Sequence, residues 1–293
     1  MSDAPFAPLV LSAADGARAT VLPYGAHVVS WTPAPDAPGG PAERLFVSAR
    51  TEYRAGAAVR GGVPVIFPQF SDRVAGPGPS IRHGFARTRP WRVVRTGRDA
   101  AGAAWAVLAL ADPDLDPETR ARWPHPFRLE LTVRVAGDAL ALALAVENPG
   151  DAPLAFTGAL HTYLRVGDAA AARVRGLGGA TGLDSAAGGA PLAPAADPLT
   201  IAGEVDRLYR GPHGPVTLDD PTLGRATRVT QAGFDDVVVW NPGAARAAAL
   251  ADLEPDGWRR FVCVEAVAAA PVVVAPGARW GGTQTLACRP SSG

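Results

Sequence analysis

Strict alternation of apolar and other residues over 127–150 is the feature that most constrains how this chain can fold. In FRLELTVRVAGDALALALAVENPG, leucine and valine hold the odd positions from 129 to 135, and arginine, glutamate and threonine hold the even ones. A period of two is typical of a β-strand with one buried face. Gly137 and Asp138 interrupt the pattern before it resumes. The segment therefore predicts two antiparallel strands joined by a tight turn.

Short extended segments of similar character follow one another along the rest of the chain. They are predicted at 18–33, 90–97, 103–112, 152–166, 171–177, 214–218, 225–231, 235–241, 247–252, 259–267, 271–275 and 283–288. A short helix is predicted at 113–123, and 182–203 is interpreted as a surface loop. The 33 glycines and 29 prolines suit the many turns that such a chain needs. The pattern favours an all-β protein, a large antiparallel β-sandwich with few short helices.

The length and the ends of the chain set the expected domain organisation. A chain of 293 residues suits one large all-β domain or two ordinary ones, so its length alone does not decide. We expect a single domain over residues 1–293, with loose ends at about 1–8 and 289–293. The N-terminal segment lacks a basic start followed by an apolar run, and no stretch approaches 18 apolar residues. These features predict a soluble, cytoplasmic protein without a membrane segment.

Composition excludes several classes of function. The formal net charge is zero, whereas a general nucleic-acid binder or a binder of acidic membranes needs a basic excess. All 28 basic residues are arginine, which excludes a lysine Schiff base, a lysine-bound pyridoxal cofactor and a P-loop. Cys263 and Cys288 are the two cysteines, too few for a disulfide scaffold or a cysteine-based zinc cluster. We expect both to be reduced and buried.

A histidine and a glutamate stand in unusual places within predicted strands. His161 lies inside TGALHTYLRV, and Glu265 lies among apolar residues in RRFVCVEAVAA. A carboxylate buried without a partner costs several kcal/mol, and burial would raise its pKa towards that of a useful general base. The alternative is a salt bridge between Glu265 and an arginine. The five histidines form neither HxH nor HExxH, so no metal site has a local signature.

Arginines cluster in two glycine-containing segments. Arg60 opens RGGVPVIFPQF, while Arg82 and Arg87 flank His83 in SIRHGFARTRPW. The planar guanidinium fork suits a phosphate, so these arginines are candidates for binding an anionic group. Their alternative role is to provide surface charge.

A carboxylate and an aromatic ring meet in GFDDVVVWNPG. Asp236 could bind sugar hydroxyls while Trp240 offers its ring face to sugar C–H bonds. The alternative for Trp240 is packing in the core.

Nine segments in this order resemble those of hexose-6-phosphate mutarotases, which are glucose-6-phosphate 1-epimerases of the aldose-1-epimerase-like superfamily. The segments are YGAHVVSW, VRGGVPVIFPQF, RHGFAR, WPHPFRLELTV, LHTYLRV, DRLY, DDVVVWNPG, VCVEA and APGARW, and they span about residues 18–287. The resemblance implies a galactose mutarotase-like supersandwich that binds sugar on a concave face. It implies that His161 and Glu265 are catalytic and that Arg60, Arg87 and Asp236 contact substrate.

Four residues, at three places in the chain, depart from the pattern of that family. Arg82 stands where glutamine is common, Ala266 and Val267 stand where proline and glycine are usual, and Gly243 stands where an aromatic residue is frequent. The departures bear on pocket shape and substrate choice rather than on reaction type. His83 is a further candidate for orienting the sugar.

The implied reaction requires only proton transfer. A base takes the proton of the C1 hydroxyl, an acid protonates the ring oxygen, and the opened aldehyde recloses on its other face. Our hypothesis makes Glu265 the base and His161 the acid, on a small-molecule sugar phosphate, with no cofactor or metal and with a monomeric protein. The alternatives are a mutarotase of unphosphorylated hexoses, a noncatalytic carbohydrate-binding or sensing sandwich, and a metal-dependent β-fold isomerase.

Overall fold

β-strands make up most of the regular structure. The computed structural model describes residues 5–72, 81–211 and 214–291. The strands are β1 Leu9–Ser12, β2 Arg18–Leu22, β3 His27–Thr32, β4 Val65–Ile66, β5 Arg92–Arg98, β6 Ala104–Ala111, β7 Arg128–Ala136, β8 Ala139–Glu147, β9 Leu154–Leu160, β10 Tyr163–Arg165, β11 Arg173–Arg175, β12 Gly182–Asp184, β13 Ala190–Leu192, β14 Leu199–Thr200, β15 Val205–Tyr209, β16 Val216–Asp220, β17 Arg225–Ala232, β18 Asp236–Asn241, β19 Phe261–Val274 and β20 Arg279–Pro290. The helices are α1 Pro117–Arg122 and α2 Gly243–Ala247, with 3-10 turns at Ala86–Thr88, Asp112–Asp114 and Gly257–Arg260.

The strands form three antiparallel sheets. A three-stranded sheet has the order β1-β2-β3, and a nine-stranded sheet has the order β14-β11-β16-β17-β20-β8-β7-β6-β5. An eight-stranded sheet has the order β13-β12-β15-β18-β19-β9-β4, with β10 also paired to β19. This architecture confirms the predicted all-β antiparallel sandwich.

The hairpin predicted from the alternating segment is confirmed as β7 and β8. Their register pairs Ala136 with Ala139 across the turn at Gly137 and Asp138. Gly137 has a φ of +56°, a left-handed conformation that glycine adopts without steric cost. Leu129 and its apolar partners along β7 are fully buried, since their face of the nine-stranded sheet meets the core.

The alternation along β19 gives the eight-stranded sheet two different buried faces. Val262, Val264 and Ala266 belong to the main core, which also holds residues of the other two sheets. Phe261 and Cys263 belong to a second apolar cluster on the opposite face. Because side chains of a strand alternate, Glu265 shares the face of Cys263. The functional site described below lies on this face.

Several predicted element boundaries are wrong. Residues 247–252 do not form a strand; this alanine-rich segment continues the turn of α2, and alanine favours helix over strand. The strands predicted at 259–267 and 271–275 are one long strand, β19. The predicted loop 182–203 contains the short strands β12, β13 and β14. The helix predicted at 113–123 is confirmed as α1, and Asp116 caps it by accepting a 2.8 Å hydrogen bond from the Thr119 amide.

The sequence predicts loose ends, but the described residues at both ends are fixed by contacts with the rest of the protein. The ring of Phe6 lies 4.5 Å from that of Tyr24, and the Tyr24 amide donates to the Pro5 carbonyl at 2.8 Å. At the other end, β20 continues to Pro290, and the Ser291 hydroxyl donates to Asp219 at 2.8 Å. The expectation for residues 1–4 and 292–293 lies outside the described residues. None of the helices in the described ranges is long and apolar enough to cross a membrane.

Candidate active site

A cavity of about 640 Å³ opens on the second face of the eight-stranded sheet. Six of the residues predicted for the site line it, namely Arg60, Arg82, His83, Arg87, His161 and Glu265. The antiparallel pairing of β9 with β19 brings His161 beside Glu265. The arginine segment reaches them through the bridge between Gly84 and Phe67, which directly follows β4, the strand that pairs with β9. The cavity is large enough for a hexose phosphate, within the usual range of small-molecule sites.

His161 and Glu265 form a close pair at this cavity. His161 directly follows β9, Glu265 lies within β19, and these strands pair with each other. The His161 Nδ1 atom lies 3.4 Å from Glu265 Oε1, and the two residues are 7% and 1% exposed. Neither His161 Nδ1 nor Glu265 Oε2 has a hydrogen-bond partner in the described part of the chain. Both groups therefore retain capacity for a ligand.

Burial makes the uncharged form of this pair favourable. It raises the pKa of Glu265 well above its usual value, and the nearby charge of Asp206 raises it further. Burial, His83, Arg87 and Arg60 lower the pKa of His161 well below its usual value. Both shifts favour a carboxylic acid beside a neutral imidazole over the charged pair. Within the described chain, the basic side chain within 4.0 Å of the Glu265 carboxyl group is His161 and not an arginine.

Aromatic rings hold the imidazole of His161 in place. The ring stacks on Tyr163, with centroids 4.9 Å apart and planes at 11°. The rings of His83 and Trp240 meet it edge to face, at 5.7 and 5.8 Å. A side chain packed on three sides keeps one orientation, which directed proton transfer requires.

Arg60 has a carboxylate partner. Its Nε and Nη2 atoms lie 3.1 and 3.0 Å from Asp252 Oδ2, and its Nη1 atom donates to the Tyr163 hydroxyl at 3.1 Å. The following residue must be glycine, since Gly61 has a φ of +118° and a Cβ atom there would lie 2.2 Å from the Phe46 carbonyl oxygen. The tight turn thus fixes the start of the Arg60 side chain at the cavity.

Arg87 differs from Arg60, because no ion pair among the described residues includes it. Its Nε atom is buried without a hydrogen-bond partner, and its Nη2 atom donates to the Arg82 carbonyl at 3.4 Å. Burial and the charges of Arg60 and Arg82 lower the pKa of Arg87 to about 10, which leaves it cationic at neutral pH. An anionic ligand would stabilise this guanidinium.

Arg82 and His83, which precede Arg87 in the same segment, are placed differently from each other. Arg82 extends towards solvent, where its Nη1 atom lies 3.3 Å from Asp72 Oδ2. Burial, Arg87 and Arg82 lower the pKa of His83 to about 3, so its imidazole is neutral. His83 can therefore orient a ligand as a hydrogen-bonding group without adding charge.

Asp236 is the predicted site residue that the structure does not bring to the cavity. Its carboxylate accepts hydrogen bonds from the Gly211 and Ala269 amides, both at 3.3 Å. Asp206 lines the cavity instead, on β15 directly opposite Trp240 of β18. Asp206 opens the segment DRLY (206–209), whose local pattern does not distinguish its carboxylate from a surface charge. Trp240 lines the cavity and also packs in the second apolar cluster. Its packing role is therefore confirmed, and its contact with sugar C–H bonds stays a prediction.

Tyr163 and Arg246 also line the cavity and were not predicted. Tyr163 reads as an ordinary strand residue in the sequence, and Arg246 follows a turn with no motif of its own. The histidine His213 lies outside the described residues.

One group of side chains carries atoms that metals commonly bind. Ligand atoms of His161, Cys263 and Glu265 lie within 4.8 Å of one another. Ligands of a tetrahedral zinc ion are about 3.5 Å apart, so a metal here would require the side chains to move together.

Known proteins with similar sequences and structures share this fold. A family model described as aldose 1-epimerase matches residues 8–287. A relative from Salmonella typhimurium, named "Putative glucose-6-phosphate 1-epimerase", is 34% identical over 250 residues, 85% of this chain and 79% of the relative. A relative of the same name from Cenchrus ciliaris is 31% identical over 290 residues, 97% of this chain and 85% of the relative.

Solved structures agree with this assignment. The crystal structure of a protein from Salmonella typhimurium, titled a "putative mutarotase", superposes with a TM-score of 0.82 at 32% identity, covering 94% of this chain and 88% of that one. A galactose mutarotase-like protein from Lactobacillus casei superposes with a TM-score of 0.74 at 15% identity, covering 97% and 100%, which shows the shared fold. The chain belongs to the aldose 1-epimerase family.

Proposed function

We propose that this protein interconverts the α and β anomers of a hexose 6-phosphate, with glucose 6-phosphate as its substrate. The observation that carries the proposal is the buried pair of His161 and Glu265, 3.4 Å apart, at a cavity that also holds the unpaired cation Arg87. Two polar groups able to exchange a proton suffice to open and reclose a sugar ring. The relatives named for glucose 6-phosphate support the same substrate class.

The reaction uses the pair in two forms that differ in the position of one proton. In the charged form, the Glu265 carboxylate takes the proton of the C1 hydroxyl while the His161 imidazolium protonates the ring oxygen. The bond between C1 and the ring oxygen breaks, and the open aldehyde faces an uncharged pair. Rotation about C1–C2 and the reverse proton transfers close the ring as the other anomer. Each transfer contributes about 10²–10⁴-fold to the rate.

The remaining lining residues have distinct roles in this proposal. Arg87 binds the phosphate, because its half-buried guanidinium has no carboxylate partner among the described residues. Asp206 binds sugar hydroxyls opposite the Trp240 ring, which packs against sugar C–H bonds. Tyr163 and Asp252 keep Arg60 in position at the same wall. The expected monomer and cytoplasmic location are part of this proposal.

Anomerisation of freshly dissolved α-glucose 6-phosphate, followed by NMR beside α-glucose at equal concentration, tests the proposal. We expect selective acceleration of the phosphorylated sugar. Equal or faster conversion of glucose would make the protein a mutarotase of neutral hexoses. Saturable binding of either sugar without acceleration would make it a binding protein.

A further inference from the structure

Two features of the cavity bear on each other electrostatically. The first is Arg87, which is half-buried with its Nε atom fully buried and, within the described chain, lacks the carboxylate that Arg60 finds in Asp252 and Arg82 finds in Asp72. A partly buried charge without a partner carries a desolvation penalty. The second is the acid–base pair itself, which needs a positive imidazole to start ring opening.

The positive charge of Arg87 opposes protonation of His161. Arg87 and Arg60 are among the groups that lower the pKa of His161. The arginine segment is in direct contact with the pair, since the ring of His83 meets the ring of His161 edge to face, with centroids 5.7 Å apart. Cancelling the charge of Arg87 therefore favours a proton on His161.

We propose that the substrate phosphate activates the acid–base pair in addition to anchoring the sugar. A dianion held by Arg87 cancels the arginine charge, and one proton then moves from Glu265 to His161. The net charge of the pair is unchanged by this transfer, and the resulting carboxylate and imidazolium are the form that opens the ring. The inference rests on the proposed function, since it concerns the same site and substrate.

A phosphate that only anchors the sugar and a phosphate that activates the acid–base pair lead to different results. If the phosphate only anchored the sugar, a free dianion would occupy the Arg87 site without helping an unphosphorylated sugar react. If the phosphate activates the pair, the dianion and the sugar need not be covalently joined.

The experiment supplies the substrate in two pieces, α-glucose and phosphite dianion. Anomerisation of glucose is followed by NMR at increasing phosphite, and the rate without protein is subtracted because phosphite itself catalyses mutarotation. We expect saturable activation of the protein-dependent kcat/KM for glucose by about tenfold or more. Arg87→Gln should abolish this activation. The control is Arg92→Gln. Arg92 is an exposed arginine of β5 that pairs with Asp114, and this variant should retain the activation.

The kinetics of the whole substrate separate activation from anchoring. With glucose 6-phosphate, Arg87→Gln should lower kcat as well as raise KM, whereas a simple anchor would change KM alone. Circular dichroism and the melting temperature of Arg87→Gln report whether the variant folds.

The outcomes distinguish the inference from the proposed function. Fast conversion of glucose 6-phosphate without phosphite activation of glucose would overturn the inference and leave the proposed function standing. Undiminished phosphite activation in Arg87→Gln would also overturn it. No acceleration of glucose 6-phosphate by folded protein would overturn the proposed function itself.

Discussion

At the scale of single residues, the chemistry of this site comes from side chains that alternation places on an enclosed face. Glu265 lies two positions after Cys263 on β19, so its side chain is on the face of the sheet that carries the second apolar cluster. Its carboxyl group is buried there beside His161. This burial raises the pKa of Glu265 and lowers that of His161, and the charges of Asp206 and of the nearby arginines add to the two shifts.

Replacing Glu265 with glutamine tests that placement directly. Glu265→Gln keeps the volume of the side chain but removes its ability to accept or give up an acidic proton. We expect kcat for glucose 6-phosphate to fall by about 10²–10⁴-fold. The far-ultraviolet circular dichroism spectrum should be unchanged. Normal turnover in this variant would remove Glu265 from the mechanism.

The two aspartates of the Trp240 region should separate binding from stability. Asp206→Asn changes a cavity-lining carboxylate, so we expect KM to rise by about tenfold with little change in melting temperature. Asp236→Asn weakens acceptance from the Gly211 and Ala269 amides, and should lower the free energy of unfolding by about 1–2 kcal/mol with KM unchanged. Substrate titration and urea unfolding of both variants measure these effects. The reverse pattern would return Asp236 to the sugar site.

The residues that sequence reasoning placed correctly are those whose chemistry is anomalous for their local pattern. A glutamate in an apolar strand and a histidine in another are visible without a structure. Asp206 was not recognisable, because the partner that makes it functional, Trp240, lies on a strand distant in sequence. Asp236 had an attractive local context, but its carboxylate serves the backbone instead.

At the scale of elements, the turn between Phe46 and β4 sets the position of Arg60. The backbone of Gly61 is so placed that the first carbon of any side chain at position 61 would collide with the Phe46 carbonyl oxygen. Strand periodicity cannot reveal such a close approach. Strand periodicity also gave the wrong element at 247–252. The alanine-rich composition of this segment favours helix over strand.

Gly61→Ala should destabilise the protein more than an alanine at another glycine of left-handed conformation. Its Cβ atom would meet the Phe46 carbonyl oxygen at 2.2 Å, whereas at Gly40, φ +66°, nothing lies within 4 Å of the added atom. We expect a loss of about 1–2 kcal/mol for Gly40→Ala and a loss at least about twice as large for Gly61→Ala. Urea unfolding of the two variants makes the comparison. Equal losses would show that the turn relaxes at no extra cost.

At the scale of the whole molecule, stability should fall in mild acid because histidines are buried uncharged. His27 is fully buried, and its Nε2 atom lies 2.7 Å from the Gly61 carbonyl. Burial, partly opposed by that hydrogen bond, lowers its pKa to about 4. The unfolded chain takes up a proton near pH 6.5 and the native protein does not until about pH 4. The contribution of His27 is therefore complete above pH 6.5 and is lost as the pH falls towards 4.

A variant without the titrating ring isolates this effect. His27→Gln can still donate to the Gly61 carbonyl but does not titrate. Between pH 7 and pH 4.5, we expect the free energy of unfolding to fall by about 2–3 kcal/mol more in the unsubstituted protein than in His27→Gln. Urea unfolding at the two values measures the difference. Parallel losses would show that His27 is protonated in the native state already at pH 4.5.

The continuity of the core predicts that the three sheets unfold together. The main apolar cluster contains Val21 of the three-stranded sheet, Leu131 of the nine-stranded sheet and Val264 of the eight-stranded sheet, all 0–1% exposed. An element that shares buried surface with the others cannot separate without exposing apolar area, at about 25 cal/mol per Å². We therefore propose that the chain is one cooperative domain, as its uninterrupted run of strands suggested.

Calorimetry decides whether this continuity makes the protein a single folding unit. We expect one thermal transition whose calorimetric enthalpy equals its van't Hoff enthalpy. Val21→Ala, in the smallest sheet, should lower the temperature of that whole transition instead of splitting it, because the cavity it creates lies in the shared core. The control Val10→Ala, at a valine of the same sheet that is 56% exposed, should leave the transition nearly unchanged. Two resolved transitions, with Val21→Ala moving the lower one alone, would show that the three-stranded sheet unfolds independently and that the core, though continuous, is not cooperative.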